Sequence, residues 1–551
     1  MNRWLDRIHG ILPSRLGLVL GALAFTASLW PSLIPRPSLA QGLVGGLAFA
    51  AGYGAGAALA AVWRWLAAAT RLSQTGRDGL WTLAAVAGLA FALFGLSQAT
   101  HWQNMVRAAV GADAVETGRP LIIAAVALLV AGLLVILGWW FVRLMRLTER
   151  GLGRLLPARI ALFLGLAVTA GVFWMAGDGI LLRAAVAALD NTYRRVDRFI
   201  PPEQAAPADP AKTGSAASLM DWAGLGAEGR NRVVSAPTRA DIEALSGGPA
   251  LEPLRVYVGL NSADDVDERA RLALEELKRI GAFDRKLLVI ATPTGTGWID
   301  PAGMAPVEIL ARGDIASVSV QYSYLPSWLS LMVEFDYGNQ TSRAVFREVY
   351  GHWRTLPKGS RPALYLFGLS LGSLNSDLSA DMFDIVSDPY QGALWVGPPF
   401  ASRTWNWVTA GRAKDSPAWL PVFRDSSLFR FMNQTDAPVV PGAAWGAIRI
   451  VYLQYASDPI VFFQQSSFWR KPDWLTGSRG PDVAPDLDWV PGVTFLQLAL
   501  DMMIATTVEK GTGHVYAAED YLRGWLEVAP PEGWSAEAID GVRVWMDAQG
   551  W

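Results

Sequence analysis

Five apolar runs, at about 16–34, 40–62, 79–100, 120–142 and 160–182, follow one another with short connections in the first third of the chain. A helix that crosses a bilayer needs roughly 20 mostly apolar residues. Residues 1–185 are therefore expected to form a helical membrane bundle of about five spans. A secretory leader has one short apolar core, a cleavage site and then a soluble chain, and five runs in series do not fit that plan. No span carries an acid or a lysine at its middle, and Asp178 at the outer end of the fifth is the nearest exception. Transport through lipid usually needs intramembrane ionisable groups, so a transporter is disfavoured. Small residues stripe the second span at Gly42, Gly46, Gly52 and Gly56, a spacing that lets helix backbones approach closely.

Arginines set the expected orientation. Arg3, Arg7 and Arg15 precede the first run, and Arg64, Arg71 and Arg77 separate the second from the third. Arg143, Arg146, Arg150, Arg154 and Arg159 lie between the fourth and fifth, whereas the alternate loops hold only Arg36, then Arg107 and Arg119. Basic loops stay in the cytoplasm. The N-terminus is thus expected inside, and everything beyond residue 185 outside, a bacterial plasma membrane.

After residue 185 charge, proline and aspartate rise. Residues 186–250, with PPEQAAPADPAKTGSAAS, read as a linker with short helices. From 251 to 551 short β-branched runs alternate with helical stretches: RVYVGL, LLVIAT, ASVSVQYSY, ALYLF, ALWVG and IRIVYLQY supply the strands. Near-continuous apolar strands alternating with helices indicate a mostly parallel sheet covered on both faces. Reactive groups in such sheets gather at the carboxyl ends of the strands. An insertion at about 398–446 carries Trp405, Trp407, Trp419, Phe423, Phe429, Phe431 and Trp445, the material of an aromatic-rich cap. The net charge of −2 gives no reason to expect nucleic acid as a partner. The chain has no cysteine, which removes disulfides and thiolate chemistry, and no metal or cofactor is expected.

The chemistry is concentrated in LYLFGLSLGS, Leu364–Ser373, where Ser370 stands between Gly368 and Gly372. A Gly-x-Ser-x-Gly turn between a strand and a helix lifts a hydroxyl above the sheet, and the glycines let the adjoining backbone close up. The near-identical GLSQA around Ser97 lies inside an apolar span, where no such turn forms. A serine becomes a nucleophile when a base takes its proton. Of the four histidines, His9, His101, His352 and His514, only His514, in KGTGHVY, follows the serine. An acid is expected between serine and histidine, at the end of a strand. Asp458 in LQYASDPIVFF meets that requirement, whereas Asp486, Asp488 and Asp501 follow no strand. Donors for a developing oxyanion are expected at the Leu371 N–H and in TPTGTGWIDP, at Gly295, Thr296 and Gly297.

With TPTGTGWIDP, LYLFGLSLGS, LQYASDPIVFF, FWRKPDWL, RGPDV and GHVY in place, the chain resembles a bacterial family of membrane-anchored α/β-hydrolases with a multi-span N-terminal region. Many relatives have an acidic residue where Leu369 stands. The resemblance implies a Ser370–Asp458–His514 triad and an esterase-like activity, without specifying a substrate. The expected function is hydrolysis of an ester, lipid-borne as an acyl-lipid or aminoacyl-phospholipid, outside the cytoplasm. The partners are then the bilayer and the acyl-ester substrate. An acyltransferase with the same triad and a non-catalytic membrane interaction protein are the alternatives. Orientation has its own test: a C-terminal alkaline phosphatase fusion should be active in cells, and an inactive fusion would reverse it.

Overall fold

A computed structural model describes residues 14–66, 74–177, 183–202, 204–327, 329–330, 335–380 and 382–551. Arg3, Arg7, His9, Arg71 and Asp178 lie outside the described residues. The chain divides into two compact units, residues 1–188 with 463–504, and residues 189–462 with 505–551.

In the first unit, α1 (Arg15–Ser28), α2 (Ser38–Leu66), α3 (Gln74–Ala109), α4 (Pro120–Leu152) and α5 (Ala158–Trp174) follow in order. Four helical segments, Ser38–Trp63, Gly79–Ala109, Pro120–Leu152 and Arg159–Gly177, are long and apolar enough to cross a membrane. The expectation of five spans is corrected here. The first run yields only the 14 residues of α1, about 21 Å at the usual helical rise, short of a hydrocarbon core of about 30 Å. Ser14 caps its start by accepting from the Gly17 N–H, and the helix stops at Leu29, just before the prolines at 31 and 35. The glycines of α2 serve two neighbours. Gly42 and Gly46 face Val126 and Val130 of α4, while Gly52 and Gly56 face the Leu20 carbonyl and Gly17 of α1. Ser97 lies within α3, its hydroxyl bonded to the Phe94 carbonyl at 2.7 Å.

The segment 463–504 belongs to this unit through a buried ion pair. Arg36 donates from Nε and Nη2 to Asp501 at 2.6 and 3.1 Å, with both side chains almost fully enclosed. Gln41 and Gln497 both donate to the Ser28 carbonyl, and Gln497 also reaches that of Trp30. These bonds satisfy carbonyls at the end of α1, which buried backbone requires.

The second unit opens with α6 (Arg183–Arg198, from its seventh residue on), α7 (Gly226–Val234) and α8 (Arg239–Ser246). The core alternation follows: β1 (Leu254–Val258), α9 (Val266–Arg279), β2 (Leu287–Thr292), α10 (Pro301–Leu310), β3 (Ile315–Val320), α11 (Phe335–Thr355), β4 (Ala363–Leu369), α12 (Leu371–Ser379) and β5 (Gly392–Val396). Then come α13 (Arg403–Ala410), β6 (Phe429–Met432), β7 (Arg449–Leu453), α14 (Ala518–Val528) and α15 (Ala536–Ala548). All seven strands are parallel in the order β1-β3-β2-β4-β5-β7-β6. The aromatic insertion supplies the edge strand β6, and its rings pack in a chain from Trp407 through Phe423 and Phe429 to Tyr452 of β7.

Side-chain alternation divides the sheet into two faces. Tyr365, Phe367 and Leu369 of β4 enter one core with Met304 of α10 and Trp525 of α14, while α9, α11 and α12 pack together separately. The stretch expected as a linker is held on the sheet: Thr213 donates to the Arg255 carbonyl, and Arg232 of α7 and Arg255 of β1 converge on buried Glu308 of α10 at 2.5 and 2.7 Å. Removing the single carboxylate would strand two guanidinium groups in a dry interior. Glu308→Ala is expected to cost about 3–5 kcal/mol, read as a lowered thermal midpoint and early proteolysis near residue 235.

Candidate active site

Strand β4 delivers Ser370 directly to the first turn of α12. Ser370 has φ +56° and ψ −126°, a conformation that costs an L-residue energy and is kept where the surroundings enforce it. The flanking glycines show what enforces it. A Cβ at Gly368 would stand 2.3 Å from the Gly372 backbone, and one at Gly372 would stand 2.3 Å from the Thr292 carbonyl oxygen. The turn thus closes only without side chains on either flank, and it presses against the carboxyl end of β2. Leu369 is buried.

Strand β7 ends one turn before Asp458, which is fully buried. Its Oδ1 accepts from the Ile460 N–H at 2.8 Å. Its Oδ2 faces His514 Nδ1 at 2.6 Å and accepts from the Tyr516 hydroxyl at 2.7 Å. A carboxylate can only accept, so Nδ1 is the donor in this contact. Burial, followed by the Asp458 charge, pushes the Tyr516 hydroxyl well above its ordinary value, which keeps it a donor. Nε2 of His514 is buried and has no hydrogen-bond partner among the described residues. A buried polar atom left unpaired costs free energy and points to a role that needs it open.

The loop that carries His514 is fixed by its backbone. The His514 N–H donates to the Ala505 carbonyl at 3.1 Å, and the Gly513 N–H to Ser457 Oγ at 2.8 Å. Behind it the Tyr455 and Tyr516 rings stack 4.3 Å apart, and Tyr455 donates to Asp520.

Two residues at the end of β5 join this histidine to the serine. The Ser370 N–H donates to the Val396 carbonyl at 2.9 Å. Next along, Gly397 has φ +53°, and a Cβ there would lie 2.6 Å from His514 Cε1. The imidazole and the serine therefore border the same dipeptide, at the carboxyl ends of neighbouring strands.

Of the expected oxyanion donors, Leu371 is the first residue of α12, where an N–H has no intrahelical acceptor. In the loop after β2, the Gly295 N–H is taken by Ser327 Oγ at 3.2 Å and the Gly297 N–H by the Thr294 carbonyl at 3.0 Å. The Thr296 N–H has no such partner among the described residues. The rival acids are engaged elsewhere or exposed: Asp501 with Arg36, Asp488 with Lys471, and Asp486 at the surface. His352 packs edge-on against Phe283, and His101 is exposed on α3. Tyr516, Ser457 and Gly397 were not singled out from sequence. Tyr516 was within view, two residues past His514 in GHVY, and Gly397 closes ALWVG. Among the described residues no group of three His, Cys, Asp or Glu side chains could hold a metal ion.

Residues 254–542, more than half of the chain, match the family described as Alpha/beta-hydrolase family, and residues 29–237 match its N-terminal companion, Alpha/beta-hydrolase family N-terminus. No curated protein and no solved structure matches the chain.

The scaffold behind the histidine titrates. Burial pushes Asp520 up to about 6, against the opposing hydrogen bond from Tyr455. A carboxyl group raised in the folded state contributes stability that is full below about pH 4 and is lost as pH rises through about 6. Asp520→Asn removes the buried charge, so it should be favourable at pH 7.5 relative to pH 5, by up to about 2 kcal/mol. Thermal midpoints of both proteins at the two pH values test this.

Proposed function

Since the chain belongs to the Alpha/beta-hydrolase family, we propose that it is a membrane-anchored serine hydrolase that cleaves an ester through a Ser370–His514–Asp458 triad. Ser370 Oγ attacks the acyl carbonyl while His514 Nε2 takes its proton. Asp458 holds the ring in the Nδ1–H form and stabilises the imidazolium. The N–H groups of Leu371 and Thr296 receive the developing oxyanion, a contribution of several kcal/mol in comparable sites. Collapse of the tetrahedral species expels the alcohol, protonated by His514. Water activated by the same imidazole then releases the acid from the acyl-enzyme. The observation that carries this reading is the buried, unpartnered Nε2 of a histidine whose other nitrogen is locked onto a buried carboxylate.

The site is proposed to work outside the cytoplasm of a bacterial inner membrane. The Arg36–Asp501 pair puts the loop before α2 and the segment 463–504 on the same side of any bilayer. The arginines at 143–159 mark the α4–α5 connection as cytoplasmic, which puts the loop before α2 on the opposite side. This argument does not depend on whether α1 crosses. A lipid-borne ester, acyl-lipid or aminoacyl-phospholipid, suits an enzyme whose 463–504 segment exposes Phe468 and Trp469, since Trp favours the membrane interface.

A fluorophosphonate probe applied to the full chain in detergent should label wild type and leave Ser370→Ala unlabelled. Asp458→Asn should slow ester turnover by about 10^4-fold. Equal labelling of wild type and Ser370→Ala would sink the proposal, and turnover only with an added alcohol acceptor would turn it into an acyltransferase.

A further inference from the structure

A cavity of about 460 Å³ opens in the sheet-bearing unit at the carboxyl ends of β1 and β3. It is separated from the Ser370 turn by strand order, since β2 lies between β3 and β4. Its walls bring three guanidinium groups together: Arg194 and Arg198 from α6, and Arg269 from α9. Arg194 is neutralised by Asp190 at 3.0 Å and lies over the Tyr324 ring. The other two are not neutralised. Arg198 directs Nε and Nη2 to the neutral oxygen of Asn261, at 3.2 and 3.0 Å. Arg269 is only 5% exposed. Its Nη1 holds the carbonyls of Ala263 and Asp264 at 2.7 and 3.1 Å, and its Nε has no hydrogen-bond partner among the described residues. Among the described residues no carboxylate lies within ion-pair distance of Arg198 or Arg269.

The remaining charges near the cavity are carboxylates. Asp264 at the rim is the second lining carboxylate, and its side chain is exposed. Asp197 lies behind the wall, where it accepts from the Ala227 N–H at 3.1 Å. The first turn of α9 opens on the cavity at Val266, where Asp265 caps the helix by accepting from the Glu268 N–H and Asp267 and Glu268 offset its positive end. A buried guanidinium with an unspent donor and an exposed one beside it can both donate to a compact oxyanion.

We propose that this cavity binds a phosphate group, with Arg198 and Arg269 as its charged contacts. Its volume exceeds that of an inorganic ion and leaves room for the group the phosphate is esterified to. Phosphate is preferred to a carboxylate because donors approach from two separate elements. The site also adjoins the loop after β2: Gln321 accepts from the Leu260 N–H of the cavity wall at 3.0 Å and donates to the Thr296 carbonyl at 3.0 Å. The proposal does not depend on the hydrolase reading.

The test uses the full chain in a detergent without phosphate. Inorganic phosphate is titrated calorimetrically at constant ionic strength, with chloride as the blank. Saturable binding is expected, weakened at least tenfold in Arg198→Gln and in Arg269→Gln, and unchanged in Ser370→Ala. Arg198 is exposed, so its variant folds even where Arg269→Gln does not. sn-Glycerol 3-phosphate and dihexanoyl phosphatidylglycerol, below its micellar concentration, distinguish the sources. At least tenfold tighter binding of the second identifies a lipid head group, and equal binding identifies a soluble phosphate ester. No saturable phosphate binding, or wild-type binding by Arg198→Gln, overturns the proposal.

Discussion

Close approach of backbone to backbone at the carboxyl edge of the sheet is the constraint on which the candidate site depends. At Gly368 and Gly372 the space that a Cβ would need is already filled by main chain, and at Gly397 it is filled by the His514 ring. Omitting three side chains lets β4 turn straight into α12, and lets an imidazole settle on the end of β5. The strained Ser370 conformation is then a consequence of packing on both sides of the turn. Neighbouring strands in parallel register supply the rest, because β4, β5 and β7 end side by side. Serine, histidine and acid, spread over 145 residues of sequence, arrive at one rim because each sits at or just past a strand end.

What could be read from the sequence was whatever local pattern determines. Apolar length marked the N-terminal helices, β-branched runs marked the strands, and GLSLG between ALYLF and a small-residue helix marked the turn. The single later histidine left one choice of base, a preceding strand favoured Asp458 over three rival acids, and the structure joins Asp458 to His514 directly. Long-range pairing was the part that could not be read. Asp501 was weighed only as a rival acid, and nothing near it announces a partner 465 residues away. The segment 463–504 lies within the stretch read as the hydrolase domain, yet it packs with the N-terminal apolar helices. The first apolar run also exceeded its helix, because composition does not register how prolines at 31 and 35 end it. The oxyanion loop failed for a related reason. Three candidate N–H groups looked alike, and only the fold reveals that Ser327 and the Thr294 carbonyl occupy two of them.

The stretch between Asp458 and His514 leaves the sheet-bearing unit at residue 462, joins the unit of apolar helices and returns at 505. On its return it immediately offers the Ala505 carbonyl to the His514 N–H. Acid and base are thus the two ends of an excursion into the unit of apolar helices.

Ser370, His514 and the Leu371 N–H are proposed to face one reacting atom. An experimental structure of the full chain after reaction with a phosphonate ester measures this directly. Phosphorus is expected to be bonded to Ser370 Oγ, with its free oxygen about 2.7–3.1 Å from the Leu371 nitrogen and His514 Nε2 within hydrogen-bond reach of the serine oxygen. An adduct on any other residue, or an imidazole that remains out of reach of Ser370, would contradict it.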